Sequence, residues 1–586
     1  MSRVHRPISL VVVAGLLALA ALLPIGQVHA DGPVSQALRI TAADGTSLAA
    51  TLTGAAPLVP RPTVVEFTPY GEGGAAFTVS PDFNYLLVQD RGTGDSDGSF
   101  EVLGPKAQSD VVDALRWACD QPWSNGDLAL AGFSASAIIV FNSLHQQLPC
   151  VKAAVLRSGT FELYRDLLMP GGVPNSVPGL AVLGGIGGLA LAQGPARLTR
   201  NPSSSLGVIT GLLTSGLNAG LLHPALDSYW AERGFRGNVN TFPVLLVDGA
   251  FDVEPRGDYQ AFQAFRAAGG DPHLLVVGGH DGAPRGTDNG VAEIARWFDH
   301  YLRGVPNGVD TEPAVQMLLA NGDREDMLAG KYVRLDATNW PVPGTTWSAL
   351  TLSKAKSGSA VSLNDGSLKL GAPDLGTTQQ LYPAVTSLPT NTDPNTIATV
   401  AGGDGGPLNK LADFIPALTD MNLTNLTGLT YTTPALKQAV TAVGPATLDV
   451  RLATLLPTSS IWAVLSDVSP DGQSHPMAVG RLNTAFPDVV EGKSLYADGQ
   501  LVQPYGDYSR LKPALPLVPR TYHVEFWPIA NKFDPGHRIQ LSIVSQSALS
   551  LPSLPSLNTV VVGGTSGTRL MLPTVPGSNL VAALQP

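Results

Sequence analysis

Residues 128–137, which read LALAGFSASA, decide the fold. A short apolar run is followed at once by a turn of small residues and then by a helical segment. This strand–turn–helix context is one in which a nucleophilic serine is held on a strained turn with its hydroxyl exposed. Gly132 is the small residue that the turn needs two positions before Ser134, whereas Ser136, two positions after it, meets the same need only approximately. The pattern predicts Ser134 as a nucleophile, and the alternative is an ordinary helix N-cap.

On both sides of this stretch, short β-rich runs alternate with helical stretches from residue 31 to about residue 304. This alternation is typical of βαβ units and of a mostly parallel sheet whose central strands are buried on both faces. The candidate strands are at 63–67, 85–88, 128–131, 153–156, 244–247 and 273–277.

Two further regions differ in texture from this α/β pattern. Residues 162–234 lack a strand signal and are rich in Gly, Ala and Leu, which predicts a helical insertion that covers the sheet as a cap. After residue 310, alternating runs are bounded by Gly, Pro, Asn and Asp, which indicates an all-β sandwich. We therefore expect an α/β domain at 31–309, with its cap at 162–234, and a β-sandwich at 310–586.

The composition of the 586-residue chain excludes two classes of protein. Hydrophobic residues make up 44% and charged residues only 14%, so the chain can bury large cores and is not intrinsically disordered. Lys and Arg number 36 against 47 Asp and Glu, a net charge of −11, and no basic run stands out after residue 31. Nucleic acid is therefore not an expected partner.

The first 30 residues have the form of a secretory signal peptide. Arg3 and Arg6 precede an apolar run at residues 10–23, and Val28-His29-Ala30 fits a cleavage site after Ala30. A membrane anchor is the alternative, but the apolar run is too short to span about 30 Å of hydrocarbon. We expect a secreted or periplasmic protein without a stable membrane anchor.

Export makes the two cysteines, Cys119 and Cys150, candidates for a disulfide, because thiols persist as a bridge in an oxidising compartment. Cys119 ends a helical pattern and Cys150 directly precedes a strand pattern. In a parallel α/β unit both positions lie at the N-terminal edge of the sheet. Two unpaired buried thiols are the alternative.

An acid and a histidine follow Ser134 in the order that this kind of nucleophile uses. Asp252 comes just after the predicted strand at 244–247, and His280 comes just after the next one, between glycines. A serine hydroxyl needs an imidazole as general base, because its own pKa is far above 7, and the imidazole needs a carboxylate to orient it. The alternative is that Asp252 is an ordinary loop carboxylate and that Asp281 is the acid.

Several further stretches, in this order along the chain, carry a resemblance to a known family. They are TPYG at 68–71, VQDRGTG at 88–94, QPWSNG at 121–126, HP at 223–224 with YW at 229–230, GAFD at 249–252, WFDHYLRG at 297–304, LTYTTP at 429–434, and FWP at 526–528 with FDPGHR at 533–538. Over nearly all of the chain from residue 31, the sequence resembles the cocaine esterase-like and Xaa-Pro dipeptidyl-peptidase group of α/β-hydrolases. The resemblance implies an α/β-hydrolase domain followed by a jelly-roll C-terminal domain.

The resemblance also implies roles for individual residues. Ser134, Asp252 and His280 match the triad of the family, and Tyr70 matches a tyrosine whose hydroxyl shares the oxyanion hole with a backbone N–H, here that of Ala135. A packed turn residue is the alternative for Tyr70. The family usually has Tyr directly after the serine and Gly three residues after it, where this chain has Ala135 and Ala137.

The expected function is that of a secreted serine hydrolase that forms an acyl-enzyme on Ser134, without a metal or another cofactor. Its substrate would be a small ester or a short peptide, and the apolar cap favours an ester with an apolar acyl group. A dipeptidyl-peptidase or α-amino-acid ester hydrolase would also need carboxylates for a substrate ammonium, and Glu162, Asp166 and Glu254 are the candidates, with solvated surface positions as their alternative. A catalytically degenerate protein that binds carbohydrate or a cell-wall polymer is the alternative of another class. The sequence gives no oligomeric state.

Overall fold

The computed structural model describes residues 33–71, 81–175, 199, 210–211, 214, 222–280, 289–384, 387–394, 396, 419–548, 550 and 555–585. The predicted signal peptide, the alternative acid Asp281 and most of the predicted cap lie outside these residues. Two large sheets, one after the other along the chain, organise the described part.

The first sheet has ten strands in the order β1-β2-β4-β3-β5-β6-β7-β8-β9-β10. In chain order they are β1 (Val34–Thr41), β2 (Ser47–Gly54), β3 (Arg61–Thr68), β4 (Asn84–Gln89), β5 (Ser124–Phe133), β6 (Val151–Arg157), β7 (Val244–Gly249), β8 (Pro272–Val277), β9 (Val315–Leu319) and β10 (Val333–Ala337). The neighbours from β4 to β9 pair in parallel, whereas the pairs β1–β2, β2–β4 and β9–β10 are antiparallel. The six predicted strands correspond to β3, β4, β5, β6, β7 and β8.

Apolar runs explain why the centre of this sheet is buried. Every residue of β4 and of β7 is buried, because helices and loops cover strands that read as continuous hydrophobic runs. The main helices of this region are α1 (Pro105–Cys119), α2 (Ala135–Ser143), α4 (Gly257–Ala267) and α5 (Asn289–Arg303), with a one-turn helix α3 (Ser228–Ala231). Helix α2 packs on β3 and β5, α4 on β7 and β8, and α5 on β5 and β6.

The first sheet continues past residue 309, where the change of sequence texture predicts a domain boundary. Strand β9 pairs in parallel with β8, and β10 closes this edge in the antiparallel sense. The one-turn helix α6 (Arg324–Leu328) connects them. Met317 and Leu319 on β9 are fully buried, so β9 covers an edge of β8 that would otherwise present apolar residues and unpaired backbone to water.

The second region is all-β and mostly antiparallel, as expected. Eleven strands form its main sheet, and the only parallel pair among them joins β12 to β14 in the described residues. The strands of the region are β11 (Thr346–Ser353), β12 (Asn364–Leu370), β13 (Thr377–Leu381), β14 (Leu429–Thr432), β15 (Val440–Gly444), β16 (Thr447–Thr454), β17 (Ser460–Val468), β18 (Ser474–Asn483), β19 (Leu495–Ala497), β20 (Gln500–Gln503), β21 (Arg520–Glu525), β22 (Ile529–Phe533), β23 (Arg538–Val544), β24 (Asn558–Val562) and β25 (Arg569–Thr574). Two short helices, α7 (Asn422–Asn425) and α8 (Leu580–Leu584), accompany them.

The described ends of the predicted cap contain helical turns rather than strands. They include a π-helical turn at Tyr164–Leu168, a 3₁₀ turn at Pro170–Gly172 and helix α3. A single isolated bridge between Glu162 and Gly234 joins the two ends where they leave the sheet.

Cys119, the last residue of α1, and Cys150, just before β6, form the predicted disulfide, with their Cα atoms 6.2 Å apart. Within the described residues, no helix combines the length and the apolar character needed to cross a membrane.

Candidate active site

Ser134 lies on a sharp turn between β5 and α2, with φ 54° and ψ −124°. A non-glycine residue with positive φ is strained, and it persists only where the surrounding structure holds it in place. Here the Ser134 N–H donates to the carbonyl of Arg157 on β6 at 2.9 Å, and the Ser134 carbonyl accepts from Ala137 and Ile138 in the first turn of α2. The strained turn predicted for a nucleophilic serine is therefore the conformation that Ser134 adopts.

Two glycines make room for the turn. A Cβ on Gly132 would lie 2.7 Å from the Cα and the nitrogen of Ala137, so only glycine fits two positions before Ser134. A Cβ on Gly159 would lie 2.9 Å from the Ala137 Cβ and 2.7 Å from the Phe141 ring. The absence of a side chain on Gly159 thus leaves room for the methyl group of Ala137. Position 137 is the one at which the family pattern has glycine.

Ser136 fills the second small-residue position of the turn. The residue is fully buried, and its hydroxyl has no hydrogen-bond partner in the part of the chain that the structure describes. The turn therefore accommodates the small side chain of Ser136. No polar contact among the described residues explains why this side chain carries a hydroxyl.

Tyr70 follows β3 and brings its hydroxyl to the same turn. The backbone N–H of Ala135 donates to the Tyr70 hydroxyl oxygen at 3.3 Å, and the Ser134 side chain also hydrogen-bonds with this hydroxyl. Burial is the main reason that the pKa of the Tyr70 phenol is raised, so the phenol keeps its proton at neutral pH. Both predicted oxyanion donors therefore lie together beside Ser134.

Asp252 and His280 form the second half of the site. The Asp252 carboxylate contacts Nδ1 of His280 at 2.8 and 3.0 Å, and both side chains are buried. One Asp252 oxygen also accepts from the Val253 N–H at 2.5 Å. The His280 ring stacks obliquely on Phe133, the residue before Ser134, with 4.8 Å between the ring centroids.

Backbone contacts between two loops bring this pair together. The Phe251 N–H donates to the Gly278 carbonyl at 2.9 Å, just beyond the ends of β7 and β8. A Cβ on Gly249 would lie 2.4 Å from the Gly279 carbonyl oxygen, so glycine permits this close approach. On the other side, the Ser158 hydroxyl after β6 donates to the His280 carbonyl at 2.8 Å.

A segment after β13 also contacts the pair, and the sequence analysis does not identify it. The Thr392 hydroxyl donates to the Asp252 carbonyl at 3.2 Å, the Asp393 N–H donates to the Phe251 carbonyl at 2.8 Å, and the His280 N–H donates to the Thr396 hydroxyl at 3.4 Å. The second region of the chain therefore supports the acid and the histidine.

Two of the carboxylates predicted to bind a substrate ammonium are bound by arginines. Asp166 accepts from Arg256 at 2.8 Å, and Glu162 accepts from Arg256 at 3.4 Å, from Arg165 at 3.2 Å and from the Tyr505 hydroxyl at 2.5 Å. Burial raises the pKa of Asp166 to about 6 against the opposing effect of Arg256. Burial also acts to raise the pKa of Glu162, but the two arginines outweigh it and leave that pKa lowered.

Glu254, the third predicted carboxylate, lies closest to the Asp252–His280 pair. It is almost fully buried, and its Oε2 has no hydrogen-bond partner among the described residues. Burial and the charges of Asp252, Asp166 and Asp258 raise its pKa well above the usual value. Ligand atoms of Asp252, Glu254 and His280 lie within 4.8 Å of one another, the one such group in the described ranges that could hold a metal ion. Two of the three are already joined by the carboxylate–imidazole contact.

The loop after β4 could supply catalytic helpers, but its arginine makes structural contacts. Arg91 binds Asp110 through two hydrogen bonds of 2.6 and 2.5 Å and binds Asp44 at 2.9 Å. Asp90 takes part in no ion pair in the described part of the chain, and burial, Asp110 and Glu66 raise its pKa to about 8. Arg91 therefore ties this loop to α1 and to the β1–β2 turn.

Two family models match the chain in succession. The X-Pro dipeptidyl-peptidase (S15 family) model matches residues 44–281, and the model of the X-Pro dipeptidyl-peptidase C-terminal non-catalytic domain matches residues 307–568. The first match contains Tyr70, Ser134, Asp252 and His280.

Individual proteins agree with these matches. The cocaine esterase of Rhodococcus sp. is 22% identical over 506 residues, which are 79% of this chain and 80% of the esterase. A CocE/NonD family hydrolase from Staphylococcus aureus superposes with a TM-score of 0.71 at 16% identity, over 93% of this chain and 94% of that chain. An α-amino acid ester hydrolase superposes with a TM-score of 0.67 at 16% identity, over 96% of this chain and all of that chain.

The two solved structures establish a shared fold, and the paired family models together with the related esterase establish the enzyme class. The chain belongs to the cocaine esterase-like and X-Pro dipeptidyl-peptidase family of α/β-hydrolases and is a serine hydrolase.

Proposed function

We propose that the protein hydrolyses carboxylic esters with an apolar acyl group through an acyl-enzyme on Ser134. The observation that carries the proposal is the convergence of the Tyr70 hydroxyl and the Ala135 N–H, 3.3 Å apart, beside the strained turn of Ser134. Two donors at one point beside a hydroxyl nucleophile suit a tetrahedral oxyanion, where fixed donors stabilise charge that develops only in the transition state.

In the acylation step, Ser134 Oγ attacks the carbonyl carbon of the ester while His280 Nε2 accepts the hydroxyl proton. Asp252 accepts a hydrogen bond from His280 Nδ1–H, which fixes the tautomer that leaves Nε2 free to take a proton and stabilises the imidazolium. The carbonyl oxygen becomes an oxyanion that accepts from Tyr70 and Ala135. The intermediate then collapses, the bond to the alcohol breaks, and His280 returns its proton to the leaving oxygen.

Deacylation repeats these steps with water as the nucleophile. His280 removes a proton from water as the water oxygen attacks the acyl carbon, and the same two donors hold the second oxyanion. The proton then passes from His280 to Ser134 Oγ as the acyl–serine bond breaks. A carboxylic acid is released and the site returns to its initial state.

The charges around the site favour a neutral acyl group over an α-ammonium group. Arg256 and Arg165 already bind Glu162 and Asp166, so these carboxylates have little free charge to offer a substrate. The unpartnered Oε2 of Glu254 supports a second candidate, the hydrolysis of α-amino-acid esters or Xaa-Pro peptides, because this oxygen lies near the Asp252–His280 pair. The raised pKa of Glu254 weakens that candidate, since a protonated carboxyl is a poor ligand for an ammonium ion.

A substrate panel tests the choice between the two candidates. Butyryl and hexanoyl p-nitrophenyl esters are compared with α-aminoacyl p-nitrophenyl esters of matched chain length and with Xaa-Pro p-nitroanilides. We expect the simple acyl esters to have the highest kcat/KM. A preference for the aminoacyl esters or the Xaa-Pro amides, lost in Glu254→Gln while turnover of the simple esters is kept, would contradict the proposal and favour the second candidate.

We also propose that the enzyme is exported. Residues 1–30 have the form of a signal peptide, and the Cys119–Cys150 disulfide suits an oxidising compartment. N-terminal mass spectrometry of the protein from an extracellular or periplasmic fraction should find Asp31 as the first residue. Recovery of the intact chain from the cytoplasm alone would contradict export.

A further inference from the structure

Arg324 is a buried arginine at the start of α6, the one-turn helix that connects β9 to β10. Its Nε and Nη2 donate to Oε1 of the adjacent Glu325 at 3.2 and 3.0 Å. Its Nη1 donates to the carbonyls of Asn391 and Thr392 at 3.0 and 3.1 Å. Glu325 therefore orients the guanidinium, and the guanidinium binds a backbone segment that begins 67 positions further along the chain.

The segment bound by Arg324 also contacts the loop that carries Asp252. The Thr392 hydroxyl donates to the Asp252 carbonyl at 3.2 Å, and the Asp393 N–H donates to the carbonyl of Phe251, the residue before Asp252, at 2.8 Å. Thr392 thus accepts a hydrogen bond from Arg324 at its carbonyl and donates one to Asp252 from its hydroxyl. A single residue joins the guanidinium to the backbone of the acid.

The histidine is supported from the same segment and from the same helix. The His280 N–H donates to the Thr396 hydroxyl at 3.4 Å. Leu328 lies four residues after Arg324, on the same face of α6. It packs on the loop before His280, because a Cβ on Gly278 would lie 2.6 Å from Leu328 Cδ2. Helix α6 therefore contacts this loop directly and contacts the segment through Arg324.

Residues 391–394 and 396, which we call the support segment, are also bound to the β-region. Asn391 Nδ2 donates to the carbonyl of Met477 on β18 at 3.1 Å. Asn391 and Thr392 are buried, so loss of Arg324 would remove the guanidinium donor from two buried carbonyls. A buried carbonyl that loses a donor is costly, and a segment in that position shifts to recover hydrogen bonds. Arg324 therefore fixes the support segment relative to the first sheet.

We propose that Arg324 is a positioning residue for catalysis, which keeps Asp252 and His280 in register by holding the support segment against both of their loops. The inference rests on the proposed function, because it requires Asp252 and His280 to work as the acid and the base. Arg324 acts through Thr392 and its neighbours, not on the substrate. A displacement of about 1 Å in a catalytic group can lower the rate about 100-fold, so the effect falls on proton transfer by His280.

Steady-state kinetics on p-nitrophenyl butyrate tests the proposal, with active sites titrated to completion by a fluorophosphonate so that only folded enzyme is counted. We expect Arg324→Met to lower kcat per titrated site by roughly 10-fold to 100-fold with little change in KM. Arg324→Lys keeps the charge without the planar fork of donors and should recover part of this loss. Arg538→Met, which removes a donor to the Thr433 carbonyl at 3.2 Å, is the control and should keep the wild-type kcat. Wild-type kcat in Arg324→Met would overturn the proposal.

Two variants of Thr392 test the same path without removing a buried charge, and they decide the matter if Arg324→Met does not fold. Thr392→Val removes the hydroxyl at nearly constant size and should lower kcat by roughly 10-fold, whereas Thr392→Ser keeps the hydroxyl and should stay within about 2-fold of the wild type. Thr392→Val should also cost less in Arg324→Met than in the wild type, because both changes interrupt one path. Equal kcat values in Thr392→Val and Thr392→Ser would overturn the proposal.

Asp252→Asn in the same assay separates this inference from the proposed function. A large loss of kcat in Asp252→Asn, together with wild-type kcat in Arg324→Met and Thr392→Val, would overturn the role of Arg324 and leave the triad in place. Wild-type kcat in Asp252→Asn as well would overturn both.

Discussion

The Ala135 N–H donates to the hydroxyl oxygen of Tyr70 at 3.3 Å, although 65 positions separate the two residues in the chain. Without substrate, the tyrosine oxygen accepts the hydrogen bond that an oxyanion would accept during catalysis. The hydroxyl then has only to turn its own proton towards the substrate oxygen. In the proposed mechanism, the two donors are therefore in place before a substrate binds, as the preorganised stabilisation of an oxyanion requires.

Replacing Tyr70 by Phe removes one of these donors and leaves the ring to pack. We expect kcat to fall by roughly 10²-fold to 10³-fold with little change in KM, because the donor acts on charge that forms only in the transition state. Steady-state kinetics on a p-nitrophenyl ester measures both constants. Tyr301→Phe, which removes a peripheral hydroxyl 3.4 Å from Asp271, is the control and should leave both unchanged. A loss confined to KM would place Tyr70 in the substrate pocket instead.

Asp252→Asn keeps the size of the side chain and removes its charge. The His280 ring would then lose the carboxylate that selects its tautomer, and we expect kcat to fall by about 10⁴-fold. Asp281→Asn is the matched variant at the alternative acid and should lower kcat by less than about 10-fold. If the two variants exchanged these effects, Asp281 would be the acid of the triad.

The raised pKa of the Asp90 carboxyl leads us to expect that the stability of the protein depends on pH. Its pKa is raised to about 8, so between about pH 4 and pH 8 the folded protein holds a proton that the unfolded chain has released. Unfolding then releases a proton, and the free energy of unfolding falls as the pH rises through this range. The Asp90→Asn variant has no carboxyl to ionise at this position, so it lacks this decrease in the free energy of unfolding. We expect the variant to gain on the order of 1 kcal/mol or more over the wild type between pH 5 and pH 8.

Urea unfolding of both proteins at a series of pH values measures this difference. The control is Asp95→Asn, at an exposed position of the same loop, which should leave the pH dependence unchanged. Arg91→Gln is not suitable as a control, because Arg91 binds two carboxylates. Parallel stability curves for the wild type and Asp90→Asn would show that Asp90 is ionised in the folded protein at neutral pH.

The Cys119–Cys150 disulfide should stabilise the fold without taking part in catalysis. It closes a loop with a sequence separation of 31, for which chain entropy gives a contribution on the order of 3 kcal/mol. We expect the Cys119→Ser/Cys150→Ser double variant to unfold at lower urea concentration and to keep its kcat at low temperature. Two alkylatable thiols in the unreduced wild type, detected by mass spectrometry, would contradict the bridge.

The local signals in the sequence predicted the framework of the site. The strand–turn–helix at 128–137 and the strands that end near Asp252 and His280 are continuous patterns, and each is read from about ten residues. The carboxyl ends of parallel strands meet at one edge of a sheet, so their order along the chain was enough to suggest that these residues meet.

Contacts between distant segments could not be predicted in this way. Thr392 supports Asp252 across 140 positions, and Arg256 reaches Glu525 across 269 positions. Neither contact has a local pattern, because the residues that surround Thr392 or Arg256 in the sequence do not indicate which distant residue each one contacts. The pairing of Arg256 with Asp166 was missed for the same reason, and Asp166 is therefore not the free carboxylate that was predicted as a candidate to bind a substrate ammonium.

The most direct test of the account is to locate the covalent adduct that a fluorophosphonate ester forms with the wild-type enzyme. Peptide mapping by mass spectrometry should find one phosphonyl group per chain, on Ser134, with activity lost in proportion to labelling. Ser134→Ala should take up no label and should lose nearly all turnover, because the members of a triad act as a unit. A label on another serine, or more than about a tenth of the wild-type kcat in Ser134→Ala, would contradict Ser134 as the nucleophile.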